Sequence, residues 1–354
     1  MSDELIERIE RPRLETSSLI GHDAARQTII QARNTGRMAH AWMITGPAGI
    51  GKATLAWRFA RLVLAPSDAA LSDSDIETDP AHPDVRKIIA GAHPDCRLIR
   101  RSMTKRSPYR FRTEISVEDI RDSATFLHHT AAMSEWRCLI VDAADEMNLN
   151  AQNALLKVLE EPPPRTLILL VAHAPSRLLP TIRSRCRALP LHPLDSEQVA
   201  QIMARAGSEL ATDEMEIISD ISGGSPGKAI DLARAGGLEL YRDLSHLVEN
   251  LPKIDTEQLH ITSDKFAGAA GEAGYRTFLE ILNWWMLRRI RGDATSGVRG
   301  GGLERWLKAW ENANELTTRA DSVNLDRKQV VLNTFFELSA AAKTAQRTEP
   351  GDTP

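Results

Sequence analysis

The sequence predicts an α/β fold: a parallel sheet with helices on both faces, followed by a small helical domain and a larger all-helical one. Three observations carry this. The runs His40–Thr45, Arg137–Asp142 and Thr166–Ala172 are apolar through most of their length rather than alternating, the mark of strands buried on both faces. Between them lie segments with apolar residues at helical spacing, the alternation that builds a parallel sheet. After about Pro193 the strand pattern stops and helical periodicity alone continues.

The elements follow in order. Residues 1–17 read as a flexible arm. A helix covers Asp23 to Thr35, and the strand His40–Thr45 leads into "TGPAGIGKATL". The next helix holds Leu55, Phe59, Leu62 and Val63 on one face. Residues 66–95, rich in Asp, Ser, Pro and Ala, read mostly as loop and repeat "AHPD" at Ala81–Asp84 and Ala92–Asp95. A strand follows at "CRLIRR". Ser116 and Asp119 form a capping-box pattern ahead of a helix with Val117, Ile120, Ala124 and Leu127 on its apolar face. The helix "NAQNALLKVLEE" stops at Pro162–Pro164. Glycines at 223–227 and 300–302 mark breaks in the helical remainder. The expected domains are therefore 1–17 (arm), 18–193 (α/β, nucleotide-binding type), 194–236 (small helical lid), 237–345 (helical oligomerisation domain) and 346–354 (disordered tail).

Composition excludes several classes. With 44 basic against 48 acidic residues the net charge is −4; this is no globally basic nucleic-acid binder, though local patches remain open. Three scattered cysteines, Cys96, Cys138 and Cys186, make no disulfide framework. The charged N-terminus lacks a signal-peptide core, and no apolar run approaches the roughly 20 residues that cross a bilayer. The expectation is a soluble cytoplasmic protein with no membrane partner.

The stretch Gly46–Thr54 carries the strongest chemical signal. G-x-x-x-x-G-K between a strand and a helix is a phosphate loop: Gly46, Gly49 and Gly51 let backbone N–H groups point at phosphate oxygens, and Lys52 reaches the outer phosphates. Pro47, Ile50, Ala53 and Thr54 complete the candidate site. The residue after the lysine should offer Mg²⁺ a hydroxyl. Ala53 offers none, and Thr54 lies about 100° further round the helix. Asp142, at the end of an apolar strand, reads as a degenerate Walker B aspartate, and the following position, where hydrolysing relatives carry Glu, is Ala143. ATP or ADP is thus expected to bind weakly or statically, with Mg²⁺ present only alongside nucleotide. A glycine turn without ligand and a strand-capping role for Asp142 stand as the plainer alternatives.

"NALLKVLEEPP" (Asn153–Pro163) and "LPTIRSRC" (Leu179–Cys186), with the two Walker elements, resemble the bacterial clamp-loader subunits of the AAA+ class, above all the delta-prime family of DNA polymerase III. The likeness runs from about Ile20 to Pro193. It implies an AAA+ fold and a non-motor subunit of a hetero-oligomeric ring that loads a sliding clamp onto primed DNA, as a component of the polymerase holoenzyme. It further implies that Arg185 acts as an arginine finger in the nucleotide site of a neighbouring ATPase subunit; the alternation of Arg183, Arg185 and Arg187 is equally that of a basic strand edge. The family's first sensor position falls at Ala172–His173–Ala174 and its second at Gly227, beside Lys228, so both have lost their usual residue. Many relatives carry a four-cysteine zinc module where residues 66–92 hold no cysteine; His82, His93 and Cys96 lack the spacing, and no zinc is predicted. The competing function is an active, motor-type AAA+ ATPase. Two further features stay open: Arg100–Arg112, with six basic residues beside Tyr109 and Phe111, is either a phosphate-contacting segment or a solvated hairpin, and Trp284, Trp285, Trp306 and Trp310 belong to core or interface.

Overall fold

The computed structural model describes residues 19–102, 112–268, 271–295, 302–323 and 325–346. The expected arm, the tail after residue 346 and positions 103–111 of the Arg100–Arg112 segment lie outside the described residues. The chain divides into two compact units, one running to Ile202 together with Gly224–Lys228, the other formed by Met203–Gly223 and the chain from Ala229 onward.

The first unit runs α1 (Asp23–Asn34), β1 (Ala41–Thr45), α2 (Lys52–Leu64), α3 (Pro83–Ile89), β2 (Cys96–Ile99), α4 (Val117–His128), β3 (Arg137–Val141), α5 (Leu149–Glu160), β4 (Thr166–Ala172), α6 (Pro180–Arg185) and β5 (Arg187–Pro190), then enters α7 (Ser196–Arg205). The five strands are parallel, in the order β2-β3-β4-β1-β5. β4, at the centre, is buried at all seven positions. Successive residues serve opposite cores: Leu167, Leu169 and Val171 meet Ile29, Leu55 and Phe59 of α1 and α2 on one face, while Ile168, Leu170 and Ala172 meet Ile120, Leu155 and Val158 of α4 and α5 on the other. This is the two-faced burial that the apolar runs require.

Two local readings are adjusted. The 66–95 segment is mostly loop, as expected, but a short helix, α3, forms inside it. Pro83 occupies a first-turn position, the His82 ring accepts the Asp84 N–H at 3.3 Å, and Val85 and Ile88 are buried. The second AHPD repeats this cap, His93 Nδ1 accepting the Asp95 N–H at 3.2 Å. There the Asp95 carboxylate takes the N–H groups of Ala132, Met133 and Ser134 at 2.7–2.9 Å, tying the start of β2 to the loop that leads into β3. The rest of the segment is held by charge: Asp75 pairs with Arg26 and Glu77 with the buried Arg58. The second correction concerns the arginines: Arg183 and Arg185 lie on the short helix α6, and only Arg187 belongs to a strand.

The second unit is helical throughout its described residues: the end of α7, α8 (Thr212–Ser222), the greater part of α9 (Pro226–Arg234), α10 (Gly237–Glu249), α11 (Thr256–Asp264), α12 (Glu272–Thr295), α13 (Gly302–Val323) and α14 (Arg327–Gln346). Its core is aromatic, with Phe278 against Phe266 at 5.0 Å and Phe335 at 6.3 Å between ring centroids. Trp306 is buried within this chain, edge-on to Trp285, and Trp310 Nε1 donates to Asn283 at 2.7 Å. Trp284 is half-buried beneath the Arg288 guanidinium.

Candidate functional site

The phosphate loop leaves β1 at its C-terminal end. Gly46, Gly49 and Gly51 have φ of 142°, 73° and 105°, values at which a side chain would be strained. Gly46 has a second reason to lack a side chain, since a Cβ there would meet the Leu191 carbonyl at 2.6 Å.

Five consecutive carbonyls of the loop accept protein donors. Lys52 Nζ turns back to Gly46 O and Pro47 O at 2.7 and 2.6 Å. Ser225 Oγ donates to Ala48 O at 2.8 Å, and Gly227 N donates to Gly49 O at 2.9 Å. His22 Nε2 lies 2.8 Å from Ile50 O; burial lowers the pKa of this imidazole, which favours the neutral ring with Nε2–H as donor. A glycine loop with a buried lysine at the start of a helix is the kind of residue set that suits a phosphate chain. The hydroxyl of a Mg²⁺ shell has no counterpart at Ala53, so the residues fit the anion better than its metal.

Lys52 is only 3% exposed. Burial lowers its pKa to about 8, against the opposing pull of Asp145 and Asp142. Asp142 follows β3 and its N–H donates to Ile99 O at 2.9 Å. Its charge also acts on the half-buried Arg100 at the end of β2, opposing the fall that burial imposes on that guanidinium. Ala143, where a catalytic glutamate would stand, is left-handed with φ 62°. Asp145 is committed elsewhere: its carboxylate accepts the N–H of His173 at 2.8 Å and of Ala174 at 3.0 Å, tying the end of β3 to the first-sensor position after β4. Glu146 pairs with Arg101 at 2.6 Å.

At the second sensor position the Gly224–Lys228 stretch, part of the first unit, packs its backbone directly on the loop. A Cβ on Gly227 would meet Gly49 O at 2.8 Å and Gly49 Cα at 2.9 Å. Glycine here is a requirement of close approach. Among the described residues no three of His, Cys, Asp and Glu are grouped to hold a metal ion.

Arg185 ends α6, immediately before β5. Its Nη1 donates to Thr181 O at 3.0 Å and its Nη2 meets Glu160 Oε1 at 2.8 Å. β5 pairs in parallel with β1, Arg187 beside Trp42 and Pro190 beside Thr45. Arg185 therefore lies at the N-terminal edge of the sheet, and Gly46–Lys52 and Asp142 at the C-terminal edge. The structure brings the phosphate loop, Asp142 and Arg100 together and separates Arg185 from them by the length of the strands, about 15 Å. Sequence reasoning missed His22, Ser225 and Glu160. The Gly-His pair ahead of α1 and the serine of "GGSPGKA" were the available signals for the first two.

A family model described as DNA polymerase III, delta subunit, matches residues 21–195. DNA polymerase III subunit delta′ of Pseudomonas aeruginosa is 31% identical over 306 residues, covering 83% of this chain and 86% of that protein. The chain belongs to the delta-prime family of DNA polymerase III subunits. A second delta-prime member, from Escherichia coli, is 28% identical over 207 residues, 58% of each chain. A solved DNA polymerase III gamma subunit-related protein from Thermotoga maritima aligns with a TM-score of 0.42 at 16% identity, over 89% of this chain and 99% of that one. The segment matched by the family model takes in the phosphate loop, Asp142 and Arg185, and ends before Ser225 and Gly227.

Proposed function

We propose that this delta-prime family member is a non-motor subunit of the DNA polymerase III clamp loader. It assembles with the other loader subunits in a hetero-oligomeric ring and, through that complex, helps place the sliding clamp on primed DNA in the cytoplasm. It supplies Arg185 to the nucleotide site of a neighbouring ATPase subunit and turns over no ATP itself. The observation that carries this reading is the separation of Arg185 from the phosphate loop along parallel strands. A guanidinium at the far edge of the sheet cannot reach a phosphate on its own chain's loop, yet it is exposed and has donors to spare for another chain's. Such a planar, permanently charged group suits the charge that spreads over a transferring γ-phosphoryl.

The loop fits the same reading. ATP or ADP, where bound, would be held by the N–H groups of Gly46–Thr54 and by Lys52 once its ammonium leaves the Gly46 and Pro47 carbonyls. Bound nucleotide supplies charge that orders the loop, and Ala53 and Ala143 withhold the metal ligand and the water-polarising carboxylate that hydrolysis needs.

The test is ATP turnover measured twice, on the isolated chain and on the loader reconstituted with wild-type or Arg185→Ala chain. We expect no turnover by the isolated chain, and a fall of at least about tenfold in DNA-stimulated turnover of the Arg185→Ala loader, towards the roughly 10³-fold that loss of a complete finger costs the site it serves. Turnover by the isolated chain that disappears in Lys52→Ala would establish the motor-type alternative. Unchanged turnover in the Arg185→Ala loader would remove the finger.

A further inference from the structure

Helix α6 is braced at both ends by α5. Near its start, the buried Gln152 of α5 accepts the Leu179 N–H at 2.8 Å through Oε1 and donates to Arg177 O at 3.3 Å through Nε2. Eight residues further along α5, about 12 Å at helical rise, Glu160 meets Arg185 at 2.8 Å. The six-residue helix that carries the finger is thus fixed at its entry by a buried amide and at its exit by a carboxylate.

Glu160 does little for its own helix. It is the last residue of α5, where the backbone carbonyls give the helix its negative end, so a carboxylate there is unfavourable. Its side chain is 49% exposed, so packing does not hold it in place either. What it does have is the Arg185 Nη2. Thr181 O takes Nη1, so two of the five guanidinium N–H groups are engaged and the others remain to bond a phosphate.

We infer that Glu160 is the positioning residue for Arg185: with the Thr181 carbonyl it fixes the plane of the guanidinium on the sheet's edge so that its free N–H groups meet the neighbouring subunit's nucleotide. This rests on the finger reading of Arg185 and adds the group that aims it. Without the carboxylate the side chain samples many rotamers, and the cost falls on the rate of phosphoryl transfer and not on nucleotide affinity.

The experiment uses the loader reconstituted with wild-type, Glu160→Ala, Glu160→Gln, Arg185→Ala or doubly substituted chain. DNA-stimulated ATP hydrolysis is measured as kcat and KM, with assembly followed by size-exclusion chromatography. Glu160→Ala is expected to lower kcat about three- to fivefold, the size an exposed ion pair can supply, with KM for ATP unchanged. Glu160→Gln, which keeps an acceptor oxygen, should recover most of the loss. The double variant should be no slower than Arg185→Ala alone, since Glu160 acts only through Arg185. A Glu160→Ala loader at full rate beside a slow Arg185→Ala loader overturns the positioning role and leaves the finger standing. So does a double variant whose losses multiply. A full rate in Arg185→Ala removes the finger itself.

Discussion

Two residues in the phosphate loop's surroundings carry a measurable energetic signature. Ala143 holds a left-handed backbone that an alanine adopts only at a cost. Ala143→Gly should therefore stabilise the isolated chain by about 0.5–1 kcal/mol in urea unfolding; a lower midpoint would mean that the alanine methyl contributes more by packing than its backbone costs. Lys52 has a folded pKa of about 8 against an unfolded value of 10.5. Between those values the unfolded state binds the extra proton, so this group's penalty on stability is complete below about 8 and fades as pH rises towards 10.5. Wild type should gain on Lys52→Met between pH 7 and pH 10, read as the difference of their urea midpoints at each pH. A pH-independent difference would show that the ammonium's bonds to Gly46 O and Pro47 O fully offset its desolvation.

At the scale of elements, the first unit's Gly224–Lys228 stretch meets the phosphate loop through backbone alone. Gly227 meets Gly49 with no side chain between them, and both atoms that a new Cβ would strike are main chain. Gly227→Ala must move Gly227 or the loop, and we expect a loss of about 1–3 kcal/mol; an unchanged unfolding midpoint would mean that this backbone contact gives way at no cost. The same contact shows where the sequence stops being legible. β1, β3 and β4 were readable because strands buried on both faces leave unbroken apolar runs. The glycine loop and Ser-Arg-Cys were readable because their chemistry depends on neighbouring positions. The bond from Ser225 to Ala48 spans 177 residues, and no local pattern announces such a contact. Helix α3 was hidden by its length of seven residues amid acidic and proline-rich sequence, although the proline in "AHPD" is a first-turn signal. Arg183 and Arg185 suggested a strand by their alternation, and Pro180 with the Gln152 bond to Leu179 makes that stretch a helix instead.

In the molecule as a whole, the phosphate loop and Arg185 occupy opposite edges of one sheet, so under the proposed function Arg185 serves another chain's nucleotide and not its own. A subunit that works this way can lose the finger and still assemble. Arg185 is 36% exposed and its partner is a half-exposed glutamate, so Arg185→Ala should change the stability of the isolated chain by less than about 0.5 kcal/mol. The variant then competes with wild type for the same place in the loader. If loaders are reconstituted from mixtures of the two chains at fixed total concentration, DNA-stimulated ATP hydrolysis should fall as the variant fraction rises, because mass action fills the position without regard to residue 185. A rate that stays at the wild-type level until wild-type chain is nearly absent would show that the variant assembles poorly, and that Arg185 belongs to the contact between subunits rather than to the chemistry across it.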